Sequence, residues 1–395
     1  MRILMTLESD FPPDTRVENE IETLQSNNHE VHIICFGKDN QPDYEEFSGF
    51  FIHRVYPSKL IHYSSVASLR FPLYFNYWKK CISKLLENHQ FDVIHINDLP
   101  LIKPIYELSK IYHFRIVLDL HENWPELLNV SLHTKTLFGR ILCSIKQWRE
   151  YEKKYIDKAD RIIVVVEEAK RRIADIIPET DKVYVVSNTI NLADTNYAIH
   201  SDARSDTSLD RKTILIYEGG ITYHRGLQNV MDALAILKGK LSDFEFWVIG
   251  SGSYCDPLKK KVSETGINEF VRFYGRKSQK EVYELLAMAD FAIIPHLKSP
   301  HTDNTIPHKL FHYMNAGLPV ISSNCVPLAR IINETGCGVT YPYDDPESLS
   351  KILSRIIGGD RVLTSTSSNA NHWIKEKYNW KYDSEILLSL YKNLA

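Results

Sequence analysis

Residues 192–212 read LADTNYAIHSDARSDTSLDRK. So polar a stretch has few apolar anchors to bury, and its Ser, Asp and Asn content suits an irregular connection. It falls in the middle of a 395-residue chain, so its reading decides how the rest divides. Before it come short β-branched runs at residues 2–6 (RILMT), 30–36 (EVHIICF), 92–96 (DVIHI), 115–120 (RIVLDL), 161–166 (RIIVVV) and 182–187 (KVYVVS). After it come residues 213–217 (TILIY), 244–249 (FEFWVI), 270–274 (FVRFY), 291–295 (FAIIP) and 319–323 (PVISS). Runs apolar on both faces suit parallel strands buried between helix layers. Residues 51–56 (FIHRVY) alternate more and suit an edge. Helical patterns lie between, as where Val17, Ile21 and Leu24 share a face. Two βα series and one connection predict an α/β chain of two doubly wound, Rossmann-like domains facing across a cleft. The expected bounds are 1–192, a linker at 193–212, 213–375, and a closing helical segment 376–395. That last segment puts Ile386, Leu387, Leu390 and Leu394 on one face, as a helix docking on a core would.

Totals narrow the function classes. A net charge of −3 gives no basic field, so nucleic acid is not expected as a partner. The six cysteines make no CxxC pair and no zinc spacing, as in a reducing compartment. The opening residues turn polar too soon for a signal peptide, and no eighteen-residue apolar run exists. A cytoplasmic protein is expected, at most peripheral on a membrane. Residues 137–161 mix Trp and Tyr with Lys146, Arg149, Lys153, Lys154 and Lys158, which suits a membrane-surface helix or a core stripe equally. No Asp-x-Asp, Gly-x-Ser-x-Gly or Walker A string is present, so a metal–diphosphate clamp, a serine hydrolase and a P-loop are not supported.

Candidate chemistry gathers at expected strand ends. Residues 217–227 (YEGGITYHRGL) place Gly219 and Gly220 after a strand and Arg225 at a helix start, where backbone N–H groups favour an anion. Gly250 in VIGSG is a second glycine-rich strand end, better suited to close backbone approach or a base. Residues 119–126 (DLHENWPE) put His121 and Glu122 at a strand terminus, as ligand-facing groups or as a helix cap. In residues 10–20 (DFPPDTRVENE), Asp14 suits an N-cap. Arg16 lies in a first turn whose dipole disfavours a cation, which points to an anion or to an ion pair with Glu20. The pattern over residues 306–316 predicts a helix ending at Gly317, with Lys309 again near the positive end.

In their joint order these strings resemble the retaining glycosyltransferases of family 4, which have the GT-B fold. The resemblance implies a nucleotide-sugar donor on the C-terminal domain and a glycan or lipid-linked acceptor on the N-terminal one. It implies retention of anomeric configuration, no metal or other cofactor, and a place in surface polysaccharide biosynthesis. Gly219, Gly220, Arg225, Gly250, Asn304, Lys309, Leu310 and His312 fall on the donor side, and His121 matches the family's active-site histidine. Asp14, Arg16 and Glu122 fall on the acceptor side. Three departures stand out: the family's usual pair of glutamates is Asn304 and His312, and the Arg that often follows the loop glycine is Gly220. Such replacements leave two rivals, a nucleotide-sugar epimerase of the same fold and a catalytically silent partner of another transferase.

Overall fold

The computed structural model describes residues 1–131, 134, 136, 139, 142–192, 212–359 and 367–394. All of the expected linker except Lys212 therefore lies outside the described residues, as does part of the basic 137–161 stretch. The chain forms two compact units, Met1–Asn188 with Asp383–Ala395, and Thr189–Tyr382.

Unit 1 is built on β1 (Arg2–Asp10), β2 (Glu30–Phe36), β3 (Tyr44–Phe47), β4 (Phe50–Val55), β5 (Val93–Asn97), β6 (Arg115–Leu120), β7 (Arg161–Val164) and β8 (Val183–Val185), in the order β3-β4-β2-β1-β5-β6-β7-β8. Every neighbouring pair is parallel except β3 with β4. Ile3, Leu4 and Met5 in β1 are fully buried in succession, so both faces of the strand are covered, as an apolar run without alternation requires. Helices α1 (Thr15–Ser26), α2 (Lys59–Ser64), α3 (Leu73–Asn88), α4 (Ile102–Tyr112) and α5 (Trp124–Val130) follow strands of the first six. The β3 edge escapes the sequence reading because YEEF is polar and largely exposed, and a turn through Ser48 (φ 49°) and Gly49 (φ 84°) folds it back on β4. The expected edge run 51–56 is thus the second strand in.

The helix Ile145–Tyr155 buries Trp148 and Tyr151 and leaves Lys146, Arg149, Lys153 and Lys154 outside. Its aromatic face is spent on the core of unit 1. The final helix, Trp380–Lys392, joins unit 1 from Asp383 onward. Leu387 and Leu390 are fully buried, Tyr391 Oη lies 2.8 Å from His95 Nδ1, and the Ser187 N–H donates to Asp383 Oδ1 at 3.0 Å. No described helix is long and apolar enough to cross a membrane.

Unit 2 holds β9 (Thr213–Glu218), β10 (Phe244–Ile249), β11 (Val271–Gly275), β12 (Phe291–Ile294), β13 (Val320–Ser323) and β14 (Gly338–Tyr341), all parallel, in the order β11-β10-β9-β12-β13-β14. The strand order reverses between β9 and β12, which is where doubly wound sheets take ligands. The strand β14 (GVTY) opens on a glycine and is half-buried along its first three residues, so it presents no apolar run.

Candidate functional site

In unit 1 the carboxyl end of β6 delivers Asp119, which is fully buried. Arg16, two residues into α1, meets it with a 2.8 Å ion pair and also lies 3.2 Å from Glu20. Asp14 caps the helix by accepting the Val17 N–H at 3.2 Å, which fixes where Arg16 enters. The remaining Arg16 N–H groups donate to the carbonyls of Val186 and Ser187 at 3.1 and 3.2 Å. The sequence reading put Arg16 on the acceptor side. The structure spends its guanidinium inside the unit instead, where it neutralises Asp119 and orients it. The cation against the helix dipole is explained by buried carboxylates.

Glu20, His95 and Asp119 bring ligand-type atoms within 4.8 Å of one another, a spacing that a metal would accept. The counter-charge there is already the Arg16 guanidinium. Burial and then the Asp119 charge push the Glu20 carboxyl well above its usual range. Burial would raise Asp119 too, but Arg16 and His121 outweigh it and hold it well below, as a carboxylate.

His121 follows β6 with its side chain about 17% exposed, and Nε2 lies 3.0 Å from Asp119 Oδ2. Burial alone would lower its pKa, but Asp119 and Asp98 outweigh burial and hold it up at about 9. At neutral pH it is an imidazolium. Its backbone N–H donates to Asp98 Oδ1 at 3.2 Å. Asp98 sits in the left-handed region (φ 67°), held there by that bond and by its own N–H to the Asp119 carbonyl at 2.8 Å. Glu122 is half-buried next to His121 at the same strand end. The sequence patterns do not single out Asp98, because a non-glycine residue forced to positive φ leaves no mark in a sequence.

In unit 2 the glycines of 217–227 answer to backbone contacts. A Cβ on Gly250 (φ 128°) would lie 2.0 Å from the Gly219 carbonyl oxygen, and one on Gly226 (φ 74°) would lie 1.7 Å from that of Pro295. Gly250 therefore serves backbone approach, one of the two uses expected of it. Gly220 differs: nothing lies within 4 Å of its missing side chain.

Around this turn stand two basic side chains. Lys309 is buried, with Nζ 3.9 Å above the Tyr217 ring centroid and, among the described residues, no hydrogen-bond partner. A Cβ on Gly219 would approach that nitrogen to 2.8 Å. Burial first, and neighbouring Arg225 second, hold the ammonium well below its ordinary pKa. Arg225 donates from Nη1 to His296 Nε2 at 3.1 Å. Burial and that same guanidinium keep the His296 imidazole neutral. Lys309 opens the helix Lys309–Asn315, which starts three residues later than the sequence pattern suggests, after a turn at His308.

His312, one turn on, places Nδ1 2.6 Å from Glu218 Oε1. Burial would raise Glu218, but His312 and Lys309 outweigh it and keep it a carboxylate. Glu218 ends β9, where the reading of the glycine motif overlooked it. Asn304 donates to the Pro300 carbonyl at 2.8 Å and closes its own loop. Leu310, expected on the donor side, is fully buried, and its leucine identity is one of core packing.

A family model described as "Glycosyl transferases group 1" matches residues 201–380, and one described as "Glycosyltransferase Family 4" matches residues 14–194. An uncharacterised glycosyltransferase of Methanocaldococcus jannaschii is 24% identical over 94% of this chain and 91% of its own length. Among solved structures, sucrose-phosphate synthase from Thermosynechococcus elongatus superposes with a TM-score of 0.79 at 17% identity, covering 100% of this chain and 98% of that one. The Anabaena protein HepE, solved in complex with UDP, gives 0.72 at 14% identity with both chains fully covered.

Proposed function

We infer, from the premise that the chain is a group 1 glycosyltransferase with the GT-B fold, that unit 2 binds a nucleoside-diphosphate sugar with a UDP or GDP carrier. Unit 1 takes the acceptor, a glycan or lipid-linked saccharide. The sugar is transferred with retention, in the cytoplasm or at the inner face of its membrane, in surface polysaccharide biosynthesis. The observation that carries the reading is the buried Lys309 amine, without a hydrogen-bond partner among the described residues and aimed at the glycine turn after β9, with Arg225 nearby. Leaving a buried donor unmatched costs about 1–3 kcal/mol, and a diphosphate supplies the missing acceptor. As the glycosidic bond to the diphosphate breaks, negative charge grows on the leaving oxygen. Lys309 and Arg225 are fixed in advance to meet it, the electrostatic work that a divalent ion performs elsewhere. Asp14 and Arg16 act at one remove, by fixing α1 and Asp119. His121 is held as an imidazolium at the unit 1 rim, suited to a developing negative charge or a hydroxyl oxygen of the transferred sugar.

Asn304 and His312 favour a second reading, a silent partner of another transferase. Calorimetric titration of UDP and GDP into the wild-type chain and Arg225→Ala tests the donor site, and sugar transfer to an acceptor, absent from a silent partner, separates the two. The transferase reading expects a diphosphate affinity about 10- to 100-fold weaker in the variant, the loss of one charge-assisted contact. Equal affinities would remove Arg225 from the donor site. Donor turnover with no acceptor, yielding an altered sugar still on its nucleotide, would identify an epimerase.

A further inference from the structure

Unit 1 carries a pocket of about 300 Å³ that the groups above do not fill. It opens at the carboxyl ends of four neighbouring strands: Glu8 lies in β1, Phe36 ends β2, Pro100 follows β5 and Trp124 follows β6. That is the rim where doubly wound sheets take ligands, and it is the rim of His121. The walls are largely apolar, with Trp148 and Leu128 among them, and Glu8 is the one carboxyl among the described lining residues.

Burial pushes Glu8 up to about 8, against the lowering effect of the Tyr74 hydroxyl, so the acid is neutral at the start of the physiological range. A neutral carboxyl both donates and accepts, which suits a hydroxyl better than a cation. Glu8 also senses the charge of Asp98, the residue that accepts the His121 N–H.

One wall comes from the segment running from α2 into α3, which contributes Val66 and Tyr74. The same segment leaves Leu60, Tyr63, Phe71 and Leu73 between 52% and 73% exposed. Large apolar side chains gathered on one exposed segment mark a surface with a partner. A free saccharide would need a lining dense in polar groups; here His62, Ser65, Ser68 and Ser131 only interrupt a lining whose exposed surface is mostly apolar.

We propose that this pocket is the acceptor site and that the acceptor is amphipathic, with a hydroxyl-bearing head at Glu8 and an apolar aglycone lying along residues 60–73. The proposal rests on the reading that unit 1 takes the acceptor, and it adds the acceptor's chemical class.

The test uses the full chain and n-alkyl β-glucosides from methyl to octyl, below their micelle concentrations, with binding read by tryptophan fluorescence. Affinity should rise about fourfold per methylene (~0.8 kcal/mol each) over the first several carbons. Val66→Trp, which fills the pocket, should weaken octyl glucoside at least tenfold while leaving UDP or GDP affinity unchanged. Glu8→Gln should keep the chain-length dependence, weaken every member of the series alike, and unfold at pH 7.5 no earlier than wild type, which excludes misfolding as the cause. Affinity independent of chain length, or unmoved by Val66→Trp, would overturn the proposal while nucleotide binding stands. Capture by anionic phosphatidylglycerol vesicles with no fluorescence response to octyl glucoside would also overturn it, assigning residues 60–73 to a bilayer. Failure of the wild-type chain to bind either nucleotide is a separate result and defeats the parent reading.

Discussion

His312 and Glu218 form a 2.6 Å pair at a position where the resembled family carries a carboxylate on the helix. Here the carboxylate facing that helix position comes from Glu218 at the end of β9. Restoring it on the helix alone should do harm. His312→Glu sets two carboxylates against each other where Glu218 is already desolvated, and both cannot ionise cheaply there. We expect His312→Glu to lose about 1–3 kcal/mol in urea unfolding and to bind nucleotide more weakly, with His312→Glu/Glu218→Gln recovering most of both. A double variant no better than the single one would show that the pair is not coupled. His121 makes a second prediction at this scale. Its folded pKa, about 9, is above the unfolded value of about 6.5, so the native state binds the extra proton between those limits. Stability from this group is complete below pH 6.5 and is lost as pH rises through 9, on the order of 3 kcal/mol in all. Denaturant unfolding from pH 6 to 10 should show that fall, and His121→Gln should flatten it. A variant curve parallel to wild type would mean that the Asp119–His121 ion pair does not form.

At the scale of elements, much was legible. Eleven β-branched runs named strands that the sheets contain, because strands buried on both faces must be apolar without a break. What escaped lacked an apolar run: the polar, exposed β3 edge and the half-buried, glycine-led β14. The candidate site was legible as positions but not as tasks. His121, Arg225 and Lys309 stand at strand ends and a helix start, as their surroundings in the sequence suggested. Arg16 and Leu310 carry the same kinds of local signal and turn inward, because an ion pair across 103 residues and a core contact exist only in three dimensions. The glycine turn after β9 gives a matched pair of tests. Gly226→Ala adds a Cβ against the Pro295 carbonyl at a positive φ, so it should cost more than the ~1 kcal/mol of a left-handed alanine and visibly lower the thermal midpoint of unit 2. Gly220→Arg meets open space and should fold normally. Its added guanidinium beside Arg225 should tighten diphosphate binding, and it should do so less as salt is raised. Calorimetry at two ionic strengths reads this out; an affinity that does not move would place Gly220 away from the phosphates.

The whole chain is two units, but its last segment belongs to the first of them. Ending the chain after Tyr382 would remove Leu387, Leu390 and Tyr391, all fully or almost fully buried. Burial of each such side chain is worth roughly 1.5–3 kcal/mol, about 5–9 kcal/mol together, comparable with the whole stability of a typical domain. The cut also deprives buried His95 of its Tyr391 hydroxyl and Ser187 of its Asp383 acceptor. None of the residues around the glycine turn of unit 2 loses a partner. Truncation at Tyr382 should therefore unfold unit 1 and leave unit 2 able to bind nucleotide. Limited proteolysis should release fragments from Met1–Asn188 while Thr189–Tyr382 persists, and the nucleotide titration should keep its wild-type midpoint within a few-fold. If both units unfolded together, each would depend on the other for stability, and the division of donor and acceptor chemistry between them could not be read from separate cores.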